Sequence, residues 1–189
     1  DGRGGWQLND LWIVQSDATN NHLLVSNATN PAWDQDSKTL YYFSFEKRDL
    51  DKGLNNLDLH EIGVDGQGQR LIYSGIAVNE HPIQVLPQGN LAFLKDRQQI
   101  TIVNRASGAV VTPFPNLNFS DTSTYEGVRF APKGDRVAYV VKRQLWLANA
   151  DGSATVKLAE PADGVWNVKW SPDGRYLAYG SNNTIWIVN

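Results

Sequence analysis

An all-β chain assembled from repeated four-stranded units is what this 189-residue sequence predicts, and three observations predict it. A turn-and-strand pattern recurs along the chain, strand-like runs stand between its copies, and no stretch keeps a 3.6-residue apolar period. The clearest copy is Val168-Lys169-Trp170-Ser171-Pro172-Asp173-Gly174-Arg175-Tyr176-Leu177-Ala178-Tyr179. The second is Val128-Arg129-Phe130-Ala131-Pro132-Lys133-Gly134-Asp135-Arg136-Val137-Ala138-Tyr139. A looser third runs from Pro31-Ala32-Trp33 through Asp36-Ser37-Lys38 to Leu40-Tyr41-Tyr42. The weakest, Gln84-Val85-Leu86-Pro87-Gln88-Gly89-Asn90-Leu91-Ala92-Phe93, is one residue short. An aromatic or apolar slot therefore falls at Trp33, Val85, Phe130 and Trp170, at spacings of 52, 45 and 40.

The residue types account for each element in turn. In Ser171-Pro172-Asp173-Gly174 the proline presets φ for the second position of a type I turn, and glycine takes the left-handed position that returns the chain as a hairpin. The segments entering and leaving this turn are the first two strands of a unit. A third strand follows at Leu57–Ile62, Ile100–Val103, Gln144–Leu147 and Thr184–Val188, and a similar run, Asp10–Val14, precedes them all. Turn pairs at Asp65-Gly66, Ser107-Gly108 and Asp151-Gly152 then introduce a fourth run, such as Arg70–Tyr73 or Thr155–Leu158. Runs of Val, Ile, Tyr, Phe and Trp suit a pleated, half-buried surface. Four strands in roughly 40 to 45 residues is the size of a propeller blade. The predicted fold is a β-propeller of four-stranded antiparallel blades, three complete and two partial. Its units fall at about 1–29 (partial), 30–79, 80–120, 121–162 and 163–189 (partial), all within a single domain or propeller fragment.

The motif Trp170-Ser171-Pro172-Asp173-Gly174, with Leu177-Ala178-Tyr179 and then Ile185-Trp186-Ile187-Val188, resembles the repeat of TolB-like β-propellers. The same repeat occurs in propellers of prolyl-oligopeptidase relatives and in periplasmic parts of membrane-anchored, CadC-type transcription regulators. The resemblance covers nearly the whole chain and specifies the fold rather than an activity. It implies a periplasmic or otherwise extracytoplasmic setting, since TolB belongs to the cell-envelope Tol-Pal system. Leu86-Pro87-Gln88-Gly89 departs most from the pattern.

Asp1-Gly2-Arg3 repeats Asp173-Gly174-Arg175 at a distance of 172 residues, which is four repeats of 43. Each leads into a matching strand, Leu11-Trp12-Ile13-Val14 in one case and Ile185-Trp186-Ile187-Val188 in the other. With no methionine anywhere, the chain reads as a processed product or a piece of a larger propeller. An alternative closes a small ring, with His22–Asn27 supplying the outer strand after Val188. An open end exposes a blade face and unpaired edges, so the piece is expected to associate with its missing half or with another chain.

Composition narrows the partners. Seventeen basic and 20 acidic residues give a net charge of −3, which offers no field for nucleic acid or an anionic membrane. The longest apolar runs are too short for a membrane-spanning helix. Zero cysteines exclude disulfides, thiolate catalysis and cysteine-built zinc sites.

One residue before each aromatic slot stand Ala32, Gln84, Arg129 and Lys169. Alternation aims them away from the side occupied by the slot residues. Gln84, Arg129 and Lys169 are therefore candidates to line a central channel and hold water, an anion or an acidic partner side chain. The loops entering the inner strands add Glu80, His81, Tyr125, Glu126 and Trp166, aromatics beside polar groups as at a protein-binding hot spot. Asp49, Asp51 and Asn55 suggest a calcium loop, but the glycine is out of register and Lys52 interrupts it. His22, His60 and His81 lie in different units without metal-ligand spacing, and neither a Gly-x-Ser-x-Gly elbow nor a phosphate loop is present. Asn27-Ala28-Thr29, Asn118-Phe119-Ser120 and Asn182-Asn183-Thr184 are formal glycosylation sequons.

The expected function is a non-catalytic module without cofactor or metal, binding a protein partner or a small polar ligand, as an interaction or sensory part of a larger protein. Two alternatives follow from the resemblance: the substrate-gating propeller of a prolyl-oligopeptidase-type serine peptidase, and the periplasmic sensor domain of a membrane-anchored transcription regulator.

Overall fold

The structure is a computed structural model that describes residues 9–44, 56–77, 82–95, 99–117 and 127–189. The chain divides into two compact units, residues 1–78 and 79–189.

The first unit holds one antiparallel sheet whose strands follow chain order: β1 (Asn9–Ile13), β2 (His22–Trp33), β3 (Thr39–Ser44), β4 (Asn56–Gly63) and β5 (Arg70–Ala77). Strand β2 serves two partners. Its front half pairs with β1, Trp12 opposite Leu23 and Ile13 opposite His22, while its rear half pairs with β3, Trp33 opposite Leu40. Between the halves Asn27 and Asn30 take positive φ of 59° and 51°, and both pairings shift register there. Asparagine tolerates the left-handed region better than most residues, so the bend needs no glycine. Leu11, Ile13, Leu24 and Val25 pack against Ala28, Leu40, Tyr42 and Ile62. The Asp10–Val14 run, assigned from sequence to a partial first unit, is thus hydrogen-bonded into the same sheet as the four strands that follow.

The second unit contains three antiparallel sheets, each again in chain order. The first is β6 (Gln84–Leu86), β7 (Asn90–Lys95), β8 (Gln99–Asn104) and β9 (Val110–Val111). The second is β10 (Val128–Phe130), β11 (Arg136–Val141), β12 (Gln144–Asn149) and β13 (Val156–Ala159). The third, β14 (Trp166–Trp170), β15 (Leu177–Ser181) and β16 (Thr184–Val188), has three strands. Where the repeat is one residue short, Pro87–Gly89 forms a single 3-10 turn, with Gln88 at φ 64° and Gly89 at φ 72°.

The full-length repeat builds its hairpin as the sequence requires. Gly174 sits at φ 71°, its N–H donating to the Ser171 carbonyl at 2.9 Å, and Gly134 repeats this at φ 71° with Ala131 at 2.8 Å. The Ser171 hydroxyl donates to Asp173 Oδ1 at 2.6 Å and accepts from the backbone N–H groups of Arg175 and Tyr176. Asp173 also accepts from the Arg175 N–H. These donors, the Ser171 hydroxyl foremost, hold the Asp173 carboxyl below its ordinary value. A depressed pKa means that the turn is supported above the ordinary carboxylate range and loses that support as pH falls through the folded-state value. Ser171→Ala is expected to move the Asp173 titration upward, read by carboxyl-carbon NMR, and to cost about 1 kcal/mol in urea unfolding. An unmoved titration would show that the hydroxyl is not the cause.

Packing in the second unit uses both faces of the middle sheet. Val128, Phe130, Val137, Tyr139 and Ala148 meet Leu86, Ala92, Leu94 and Ile100 of the first sheet. Ala138, Val140 and Leu145 meet Val168, Leu177 and Tyr179 of the third. A strand buried on both faces carries an unbroken apolar run instead of alternation, which is why β11 reads Val137-Ala138-Tyr139-Val140. The loop after β9 tucks Phe114 edge-on against Tyr139 at 5.4 Å between centroids. The third sheet buries one face only. Ile185 and Ile187 on its other face are 78% and 72% exposed, and among the described residues no strand pairs with the outer edge of β16.

Candidate functional site

Three of the predicted site residues lie on neighbouring inner strands, because β10 packs beside both β6 and β14. Gln84 on β6 commits its whole amide to β10. Its Nε2 donates to the Val128 carbonyl at 3.1 Å and its Oε1 accepts from the Phe130 N–H at 3.0 Å. Arg129 is half-buried and donates from Nη1 to the Val128 carbonyl at 2.9 Å. On the other side of β10 the Trp170 indole N–H donates to the Arg129 carbonyl at 2.9 Å. Lys169 is exposed.

The register places these side chains on particular faces. Gln84 is opposite Ala92, Arg129 opposite Ala138, and Lys169 opposite Ala178. Ala92 belongs to the contact between the first and second sheets, and Ala138 to that between the second and third. Since both faces of the middle sheet are packed, the side away from Phe130 is the one that meets the following sheet. Gln84 and Arg129 therefore stand at the inner ends of two sheet contacts. Lys169 stands at the corresponding place on the open face, lining a shallow hollow of about 370 Å³ with Trp170, Tyr176, Ala178 and Ile187.

Trp166 is half-buried and lies across Gly180, where an added Cβ would come within 2.5 Å of the indole nitrogen. Asn167, at φ 55°, makes the bulge that shifts the β14 register between Trp166 and Lys169. The remaining candidates, Glu80, His81, Tyr125 and Glu126, and the calcium-like loop residues Asp49, Asp51 and Asn55, lie outside the described residues. Among the described residues no three His, Cys, Asp or Glu side chains gather as metal ligands, and no helix is long and apolar enough to cross a membrane.

Two features escaped the sequence reading. Arg136 places its guanidinium 5.1 Å from the centroid of Trp170 and donates to the Gly174 carbonyl at 2.6 Å, clamping the Ser171–Gly174 turn to the second sheet. The pattern copies themselves held the signal, since Arg136 stands two residues after one turn and Trp170 immediately precedes the next. The second is a hollow of about 740 Å³ bordered by Leu117, Tyr139, Val141, Gln144 and Trp146. Burial pushes the Tyr139 hydroxyl pKa upward, and its hydrogen bond to the Thr155 side chain opposes this in part.

Similarity to solved structures follows this geometry. TolB from Acinetobacter baumannii superposes with a TM-score of 0.67 at 17% identity, over 94% of this chain and 45% of that one. The chain has the TolB-like β-propeller fold. An oligogalacturonate lyase solved in complex with manganese matches this TolB-like chain with a TM-score of 0.68 at 15% identity, over 93% of this chain and 54% of the lyase. A puromycin hydrolase matches at 0.63 and 18% identity, over 87% of this chain and 27% of the hydrolase. The chain thus spans about half or less of each of these proteins, one named as a lyase and another as a hydrolase. No family profile and no curated protein sequence matches the TolB-like chain.

Proposed function

We propose that this TolB-like chain is a non-catalytic, protein-binding part of a larger extracytoplasmic protein, serving as an interaction or sensory module. The observation that carries the reading is the aromatic surface the first unit leaves in water: Trp12 and Trp33 are each more than half exposed. Aromatic groups of this size, set among polar neighbours, are what protein interfaces bury. In the sensory version, Arg129 and Lys169 attract an acidic side chain or a small anion. The extracytoplasmic setting rests on the resemblance of the repeat to the TolB family.

Two experiments test the reading. A photo-crosslinking amino acid at position 33, in the chain secreted to the periplasm, is expected to give a discrete protein adduct, and a featureless smear or no adduct counts against it. The purified chain is expected to leave prolyl peptides, esters and glycosides intact, and turnover of any of them would overturn the non-catalytic assignment. The likeness to puromycin hydrolase favours a second reading, a substrate-gating propeller. That reading requires the parent polypeptide to carry a Gly-x-Ser-x-Gly serine reactive toward fluorophosphonates.

A further inference from the structure

Two observations on the second sheet of the second unit converge on one place. The hairpin between β11 and β12 turns through Lys142 and Arg143, at φ 50° and 67°. A two-residue turn with both central residues left-handed suits asparagine and glycine, and the corresponding hairpin of the third sheet has Asn182 and Asn183 at φ 48° and 55°. Two long basic side chains in that conformation are strained, and such strain persists where the residue is needed for something else. Arg143 has a structural use: its guanidinium donates to the Asp163 carbonyl and its stem lies over Gly164, where an added Cβ would come within 2.9 Å of the Arg143 Cβ. Lys142 has no such contact. Its side chain is exposed, and no group among the described residues pairs with its ammonium.

The second observation is the hollow of about 740 Å³ that Lys142 helps to line. Its floor is apolar, since Leu117, Val141 and Trp146 pack against the core that joins the first and second sheets. Tyr139 and Gln144 add a hydroxyl and an amide. Among the described residues that line the hollow, Lys142 is charged and none is acidic. The Glu160 carboxylate, which accepts from Gln144 Nε2, also holds the Lys157 ammonium, so its charge is already answered. An apolar floor, a few polar groups and one cation, in a space of this size, are the make-up of a small-molecule site.

We propose that this hollow binds a small amphipathic anion, a flat ring system carrying a carboxylate. The rings lie against Trp146, Leu117 and Val141, where an indole takes a planar partner by offset stacking. The carboxylate accepts a charge-assisted hydrogen bond from Lys142 Nζ. The strained turn is then the device that holds a cation at the edge of an apolar hollow, where asparagine would make the better turn and the poorer site.

The site uses none of Gln84, Arg129 and Lys169 and no surface of the first unit, so it fails separately from the protein-binding reading. The probes are 2-naphthoate and its neutral amide, 2-naphthamide, which share one shape. Binding is read from the indole N–H resonances of the seven tryptophans, with Trp146 assigned by its loss in Trp146→Phe. 2-Naphthoate is expected to shift the Trp146 resonance saturably, with a midpoint of roughly 1 mM, the level a fragment of this size reaches. The amide should bind about fivefold more weakly, as loss of an exposed ion pair allows. Lys142→Asn should remove that difference while raising the urea midpoint, because it relieves the turn. Three results would overturn the proposal: a Trp146 resonance unmoved at about 10 mM 2-naphthoate, equal affinity for acid and amide, or a Lys142→Asn chain that binds 2-naphthoate as the wild type does.

Discussion

Replacing Gly152 with alanine is expected to destabilise the second unit by about 3 kcal/mol, the sum of a left-handed backbone strain and an overpacked contact. Gly152 sits at φ 89° in the turn between β12 and β13, its N–H donating to the Asn149 carbonyl at 2.9 Å. A Cβ there would stand 2.2 Å from the Pro113 carbonyl oxygen, a backbone atom that cannot rotate out of the way. The loop carrying Pro113 would have to lift, and Phe114 would leave the Tyr139 ring. Gly174→Ala is the matched control: φ is 71° and the nearest atom, Pro132 Cδ, is 3.5 Å away, so backbone strain of about 1 kcal/mol is all that should appear. Urea unfolding monitored by near-ultraviolet circular dichroism measures both. Equal losses in the two variants would show that the Pro113 contact is unimportant.

Gln84→Leu should cost the second unit about 1 to 3 kcal/mol, since a side chain of similar size fills the space but leaves the Phe130 N–H without its partner and the Val128 carbonyl with the Arg129 donor alone. Both residues are buried, so water does not readily replace the amide. Urea unfolding monitored by near-ultraviolet circular dichroism reads the loss, and an unchanged midpoint would show that the Gln84 amide contributes nothing.

The strands and turns were legible in the sequence because each depends on near neighbours in the chain. Proline, glycine and alternating apolar residues sufficed to locate the hairpin at Ser171–Gly174, and the third strand expected at Thr184–Val188 is found there. Two kinds of information were not local. The continuity of β2 depends on Asn27 and Asn30 both taking left-handed conformations, which the sequence permits without requiring. The role of Gln84 depends on which strand lies beside it: a glutamine at the inner end of a strand reads as polar lining, and only the approach of β10 turns it into a bidentate clip. Lys169 was expected beside Gln84 and Arg129 by position in the repeat. It shares their register but not their surroundings, because on its face no further sheet follows among the described residues.

In every sheet the strands are neighbours in the order in which they are synthesised. The hydrogen-bonded ladders therefore close over short loops, and such contacts form in microseconds. The contacts between sheets are of another kind: the Gln84 clip joins residues 44 apart and the Trp170 indole reaches back 41. On a ribosome adding about 5 to 20 residues per second, a unit of this size waits roughly 2 to 8 seconds before its successor is complete. Within the second unit, each of the first two sheets thus passes through an interval in which its forward face is as bare as that of Ile185 and Ile187. Folding of that unit is a relay of such exposures, each ended by the arrival of the next sheet.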